Sequence, residues 1–184
     1  MFAHSDLILR GRRRQRLAFE PLEERALLAL DGNHILTGAG ASGGPHVRAF
    51  DPADLSESTS LFAYDFDFAG GVRVAGGDVN RDGTPDIVTG NGSGPASELK
   101  VFSGLDNSLL MTIAPYAAPF TGGIFVAAGD TNGDGFDDLI TGAGFDGGPH
   151  VRVFSGADGS VLREFLAYGG DFTGGVSVAA ADFI

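Results

Sequence analysis

An all-β fold is predicted by three features of this 184-residue sequence. Short runs of Val, Ile, Thr and Phe alternate with clusters of Gly, Asp and Ser, the pattern of strands joined by tight turns. From residue 36 onward the chain repeats itself every 52 residues: Thr37, Thr89 and Thr141, then Phe50, Phe102 and Phe154, then Tyr64, Tyr116 and Tyr168, then Phe68, Phe120 and Phe172, then Asp78, Asp130 and Asp182. Each period has room for four short strands. A four-stranded unit that recurs about every 50 residues is the plan of a propeller blade. The predicted architecture is therefore a row of β-propeller blades, each of four antiparallel strands.

Taken in order, residues 1–30 share no period with the rest and are read as a basic leader, disordered or carrying a short helix over residues 21–30, that does not pack into the sheet core. Six of the twelve basic residues lie there: Arg10, Arg12, Arg13, Arg14, Arg16 and Arg25. An ordinary secretory signal needs an unbroken apolar stretch after its positive charges, and Glu20, Glu23, Glu24 and Arg25 interrupt this one. The segment resembles the LEPR-x-L-L sorting segment of large surface or exported proteins of planctomycete bacteria. Phe19, Glu20, Pro21, Leu22, Glu23, Arg25, Leu27 and Leu28 carry the match, and Glu24 stands where that pattern has Pro. The resemblance implies a targeting role.

Residues 31–184 form the repeats: a partial blade over 31–67 with strands two to four, full blades over 68–119 and 120–171, and the opening strand of another over 172–184. In the copy over 120–171 the expected strands are residues 123–128, 138–142, 150–155 and 161–168. Val72, Ile124 and Val176 stay aliphatic, as do Val74, Val126 and Val178, while the position between them reads Arg73, Phe125 and Ser177. That alternation points the aliphatic set at the core. Ile35, Ile87 and Leu139, followed by Leu36, Val88 and Ile140, suit a strand buried on both faces. The Phe and Tyr columns are read as packing between blades. Three units are too few to close a ring, since propellers use about four to eight blades. The expectation is an open arc, a fragment of a longer propeller, whose ends expose apolar faces including Val176 and Val178 and engage further blades in cis or self-associate.

The loop between the first and second strands carries the chemistry. Residues 78–86 and 130–138 both read D-x-N-x-D-G-x-x-D. Calcium takes about six to eight oxygen ligands, which alternate side chains of a tight loop can supply. Candidate ligands are Asp78, Asn80, Asp82 and Asp86 in the first loop and Asp130, Asn132, Asp134 and Asp138 in the second. Thr84 and Phe136 occupy the seventh position, where Phe136 offers only its backbone carbonyl. Gly83 and Gly135 permit the sharp turn. The loops are not EF-hands, because their twelfth positions are Thr89 and Thr141 where that motif requires Glu. Metal-free Asp/Asn/Gly turns are the plainer alternative.

The remaining composition narrows the functional classes. The net charge of −12 argues against nucleic-acid binding. With no cysteine there is no disulfide, thiol chemistry or Cys-type zinc site. The longest charge-free stretch, residues 107–129, contains Pro115, Pro119, Gly122 and Gly123 and reads as strands and a turn, so no transmembrane segment is expected. No catalytic set stands out. His46, Glu98 and His150 recur at one strand position, as do Arg48, Lys100 and Arg152, which fits exposed strand residues.

The acidic loops, the 52-residue period and the Phe-x-Gly-Gly signature together resemble the FG-GAP or VCBS repeat family across residues 31–184. That resemblance implies an integrin-like propeller with Ca2+ held between the first and second strands of a blade. The expected role is a non-enzymatic, calcium-stabilised module of a large extracellular or cell-surface protein, used for adhesion or for binding protein or glycan. A share in a propeller enzyme such as a polysaccharide lyase or hydrolase, and a purely structural spacer, are the rivals.

Overall fold

A computed structural model describes residues 34–94 and 96–181 of the chain. The leader, Pro95 and the Asp182 position of the repeat lie outside the described residues. Eleven strands form three antiparallel sheets. The first sheet contains β1 (Ile35–Gly38), β2 (His46–Phe50) and β3 (Glu57–Phe62). The second contains β4 (Val72–Gly77), β5 (Asp86–Asn91), β6 (Leu99–Phe102) and β7 (Leu109–Ile113). The third contains β8 (Ile124–Gly129), β9 (Asp138–Ala143), β10 (His150–Phe154) and β11 (Val161–Leu166). Strands pair in chain order within each sheet, so the sheets are successive blades of a partial, open propeller. No helix occurs among the described residues, and none is long and apolar enough to cross a membrane.

The repeat in sequence is a repeat in detail. The ladder between third and fourth strands slips at Ala49/Phe50, at Val101/Phe102 and at Val153/Phe154, one bulge per blade at the same position. The turn beside it is closed by Asp54, Asp106 and Asp158, each accepting the N–H of the Ser two residues on at 2.9 Å. This is the local carboxylate-to-backbone bond that makes Asp a turn former.

The core lies between blades. Val47, Ala63, Tyr64, Val72 and Ile87 pack where the first blade meets the second. Val79, Leu99, Ile124, Leu139 and Phe154 belong to the cluster where the second meets the third. Leu99, Ile124 and Leu139 are fully buried, each contributing roughly 1.5–3 kcal/mol by leaving water. Close approach is secured by glycine. A Cβ on Gly38 would sit 2.3 Å from the Val72 carbonyl oxygen, and one on Gly142 only 2.0 Å from that of Val176. The second strand of one blade thus rests directly on the backbone of the next blade's first strand.

Several expectations are corrected. In the blade over 120–171 the first strand starts and ends one residue later than expected (β8 is Ile124–Gly129), and the fourth is shorter (β11 is Val161–Leu166). The two columns expected to give a strand buried on both faces do so in β5, where Ile87 and Val88 are 4% and 0% exposed, whereas in β9 Leu139 is fully buried and Ile140 only half-buried. In β1, Ile35 is 46% exposed, because among the described residues no blade precedes it. Residues 174–181, expected to open another blade, form no strand. They are nonetheless seated as a first strand is: Val176 N–H donates to the Ala143 carbonyl at 2.9 Å, as Val72 N–H donates to Ala39 at 2.8 Å. Val176, expected at an exposed end, is buried against the third blade, and Val178 is half-buried. In the third blade, apolar side chains of the outer strand and its following turn, among them Phe165, Tyr168 and Phe172, are exposed.

Candidate metal centre

Each acidic loop hangs between the first and second strands of a blade, residues 78–85 between β4 and β5 and residues 130–137 between β8 and β9. Its shape comes from side-chain oxygens turned onto its own backbone. Asp78 Oδ1 accepts the Asp82 N–H at 3.0 Å and Asp78 Oδ2 the Gly83 N–H at 2.9 Å. Asn80 Oδ1 accepts the same Asp82 N–H at 2.9 Å, and Asp82 Oδ1 accepts the Thr84 N–H at 2.8 Å. The other loop is built alike with one difference: Asp130 accepts from Gly135 at 2.9 Å and from Gly133, rather than Asp134, at 2.7 Å, while Asn132 accepts from Asp134 at 2.9 Å and Asp134 from Phe136 at 2.9 Å. The bonds from Gly135 and Gly133 hold the Asp130 carboxyl below its ordinary range, favouring the ionised form a cation needs. Gly83 and Gly135 have φ of 87° and 86°, the left-handed backbone that favours glycine.

The last acid of each motif plays a second part. Asp86 is 1% exposed; its Oδ2 accepts from Val79 and Asn80 at 3.0 and 3.2 Å, and its Oδ1 accepts from Gly104 at 3.1 Å. Burial pushes its carboxyl up, against the pull of those N–H bonds. Asp138 is fully buried and bonds Thr131 on one oxygen and Gly156 on the other. Each therefore ties its loop to the turn between third and fourth strands of its own blade.

The predicted residues come together as two separate loops. Asp78, Asn80 and Asp82 share one turn: Asp78 and Asn80 oxygens converge on one N–H, and Asn80 Nδ2 lies 2.7 Å from Asp82 Oδ2. Asn132 and Asp134 stand in the same relation at 2.9 Å. Among the described residues no three His, Asp or Glu side chains are gathered closely enough to hold a metal as placed, because these oxygens are wrapped around N–H groups. The donor chemistry still fits a hard cation: every candidate ligand is an oxygen, the loops are negatively charged, and rotation of the Asn amide would turn its carbonyl toward the neighbouring carboxylate.

Two residues at this site escaped the sequence reading. Asp137 stitches the loops together: its carboxylate accepts the Asp78 N–H at 2.8 Å, and its own N–H donates to the Asp78 carbonyl at 3.0 Å. The corresponding position one period earlier is Pro85, so a break in the repeat was the available signal. Arg81 crosses from the first loop to the second, donating to the Asp134 carbonyl at 3.4 Å and lying 5.6 Å from the Phe136 ring centre. Phe136 thus contributes a ring to the loop contact.

The basic column is also corrected. Lys100 and Arg152 are half-buried and reach back across the blade boundary, Lys100 Nζ to the Ala63 carbonyl at 3.2 Å and Arg152 Nη1 to the Pro115 carbonyl at 2.6 Å. The tyrosine column behaves as expected. Tyr64 OH donates to the Glu98 carbonyl and Tyr116 OH to the His150 carbonyl, both at 2.9 Å and both in the next blade.

Comparison with known families agrees with this architecture. Residues 78–141 match the FG-GAP-like repeat and residues 122–162 the FG-GAP repeat. No curated protein matches the chain significantly. The two matches take in both acidic loops and the strands from β5 to β10, so this stretch of the chain is similar to FG-GAP-type repeats.

Proposed function

We propose that this chain is a calcium-stabilised propeller module of an exported or cell-surface protein, acting by binding rather than by catalysis. The observation that carries the reading is the pair of loops 52 residues apart, with the same oxygen-bearing side chains at the same offsets and with the Gly83, Asp82 and Thr84 N–H bonds of one loop matched by those of Gly135, Asp134 and Phe136 in the other. Asp78, Asn80, Asp82 and Asp86, with the Thr84 carbonyl, would hold one ion. Asp130, Asn132, Asp134 and Asp138, with the Phe136 carbonyl, would hold the other. A bound ion supplies a fixed positive charge that draws each loop's carboxylates together and braces the blade in a chain without disulfides. Adhesion, or the binding of an extracellular protein or glycan, is the role such a module would serve, and the basic leader would direct export.

Thermal unfolding with calcium, with magnesium and with chelator tests the reading. Calcium at about a hundred times its dissociation constant would stabilise each site by roughly 2.7 kcal/mol. The melting temperature is expected to rise with calcium and fall with chelator, magnesium acting more weakly. Identical curves in all three conditions would refute it.

A further inference from the structure

The two acidic loops carry Asn at the same offset but differ in the residue after it: Arg81 follows Asn80, and Gly133 follows Asn132. An asparagine followed by glycine is a reactive pair. The glycine nitrogen can attack the side-chain carbonyl carbon of the asparagine and close a small imide ring, and glycine has no Cβ to obstruct the approach. The chain has a second such pair, Asn91–Gly92. These three asparagines sit in different surroundings. Asn132 and Gly133 are exposed. Gly133 N–H donates to Asp130 Oδ1 at 2.7 Å, so the attacking nitrogen has its N–H polarised by a carboxylate. Asn132 Oδ1 accepts the Asp134 N–H at 2.9 Å, which polarises the amide carbonyl and stabilises negative charge gathering on that oxygen. Asn132 Nδ2 donates to Asp134 Oδ2 at 2.9 Å, so the departing nitrogen is also held beside a carboxylate. Asn80 keeps the last two contacts, with the Asp82 N–H at 2.9 Å and Asp82 Oδ2 at 2.7 Å. The nitrogen that follows it differs: Asp78 Oδ1 turns to the Asp82 N–H instead of that of Arg81, and Arg81 brings a side chain to the approach. Asn91–Gly92 is locked. Both residues are buried, Asn91 donates to the Ala96 carbonyl at 2.6 Å and accepts from Glu98 at 2.7 Å, and Gly92 N–H donates to the Gly71 carbonyl at 2.8 Å.

We propose that Asn132 is a self-modification site, deamidating within the folded loop. Gly133 N bonds to Asn132 Cγ, the proton it loses ends on the side-chain nitrogen, and the Cγ–Nδ2 bond breaks to release ammonia and leave a cyclic imide. Water then opens the ring. Cleavage between Cγ and Gly133 N leaves an aspartate at position 132. Cleavage between the main-chain carbonyl carbon and Gly133 N leaves an isoaspartate, with the chain rerouted through the former side chain. Either product puts a carboxylate in place of a neutral amide in an already acidic loop. The isoaspartate also adds a methylene to the turn that the Asp130 bonds to Gly133 and Gly135 now close. The change runs one way and falls on the second loop, leaving the first as it was.

The full chain, held in chelator at mildly alkaline pH, sampled over days and mapped by peptide mass spectrometry, tests this. Position 132 is expected to gain the amide-to-acid mass, with isoaspartate among its products, about tenfold or more faster than Asn80 and Asn91, a barrier lower by ~1.4 kcal/mol or more. The same chain in urea is the control. There both Asn-Gly pairs should react alike, whereas in the folded chain Asn91 falls far behind and Asn132 keeps at least its urea rate. Gly133→Arg copies the first loop, where Arg81 already adopts a φ of 61° at this position, and should bring Asn132 down to the rate of Asn80. Asp130→Asn should slow the folded-state reaction severalfold and leave the urea rate unchanged. Asn132 slower folded than in urea, equal folded rates at Asn132 and Asn80, or Asp130→Asn no slower than the wild type when folded would each overturn the proposal. The reaction is read in chelator, so a failure of calcium binding would refute the functional reading and leave this one standing.

Discussion

Tyr116 shows what a single side chain contributes to this fold. Its ring is half-buried against Phe120, and its hydroxyl lies within 3.3 Å of Thr141 Oγ1 and donates to two backbone carbonyls of the third blade. Tyr116→Phe keeps the ring and removes those bonds. It leaves buried acceptors unpaired and should lower stability by about 1–2 kcal/mol in denaturant unfolding. The same residue predicts an alkaline limit. Burial pushes the Tyr116 phenol up from its ordinary value of 10 to about 12, and pushes Tyr64 further in the same direction. A group whose folded pKa is raised gives stability that is fully present below the unfolded value and lost as pH climbs through the folded one. The melting temperature should therefore fall between pH 10 and 12, more steeply in the wild type than in Tyr116→Phe, which calorimetry across that range would show.

Among the elements, the strands were legible and their surroundings less so. Period-two alternation in residues such as Val72, Arg73 and Val74 located β4, and the 52-residue register located its copies. What the pattern of one strand cannot express is which neighbour covers it. Ile35 and Ile87 are the same residue at the same repeat position, yet one is 46% exposed and the other 4%, because burial here is conferred by the preceding blade. The basic column was misjudged for the same reason: Arg152 looks like a solvated strand residue until Pro115 of the preceding blade stands within reach. At the loops the ligand-type residues were plain from spacing, whereas Asp137, which joins one loop to the other, was not, because its partner Asp78 lies 59 residues away. Glycine columns yield a sharper test. Gly38→Val would drive a side chain into the Val72 carbonyl at 2.3 Å and wedge the first blade from the second. Overpacking of this kind costs about 1–3 kcal/mol, and here it should also raise hydrogen exchange selectively in β1 and β4. Uniform exchange across all three sheets would contradict an interface confined to those strands.

On the scale of the whole molecule, stability is shared between blade boundaries and acidic loops. The two loops touch through Asp137 and Arg81, so ions bound there would brace the second and third blades together. Each loop nevertheless folds on its own hydrogen bonds, so the sites should be separable by mutation. Calorimetric titration with calcium measures this most directly. The wild type is expected to take up two ions per chain and Asp134→Ala one, with the remaining site close to its original affinity. No uptake by the wild type at millimolar calcium would contradict the account, leaving the repeated loops as metal-free turns.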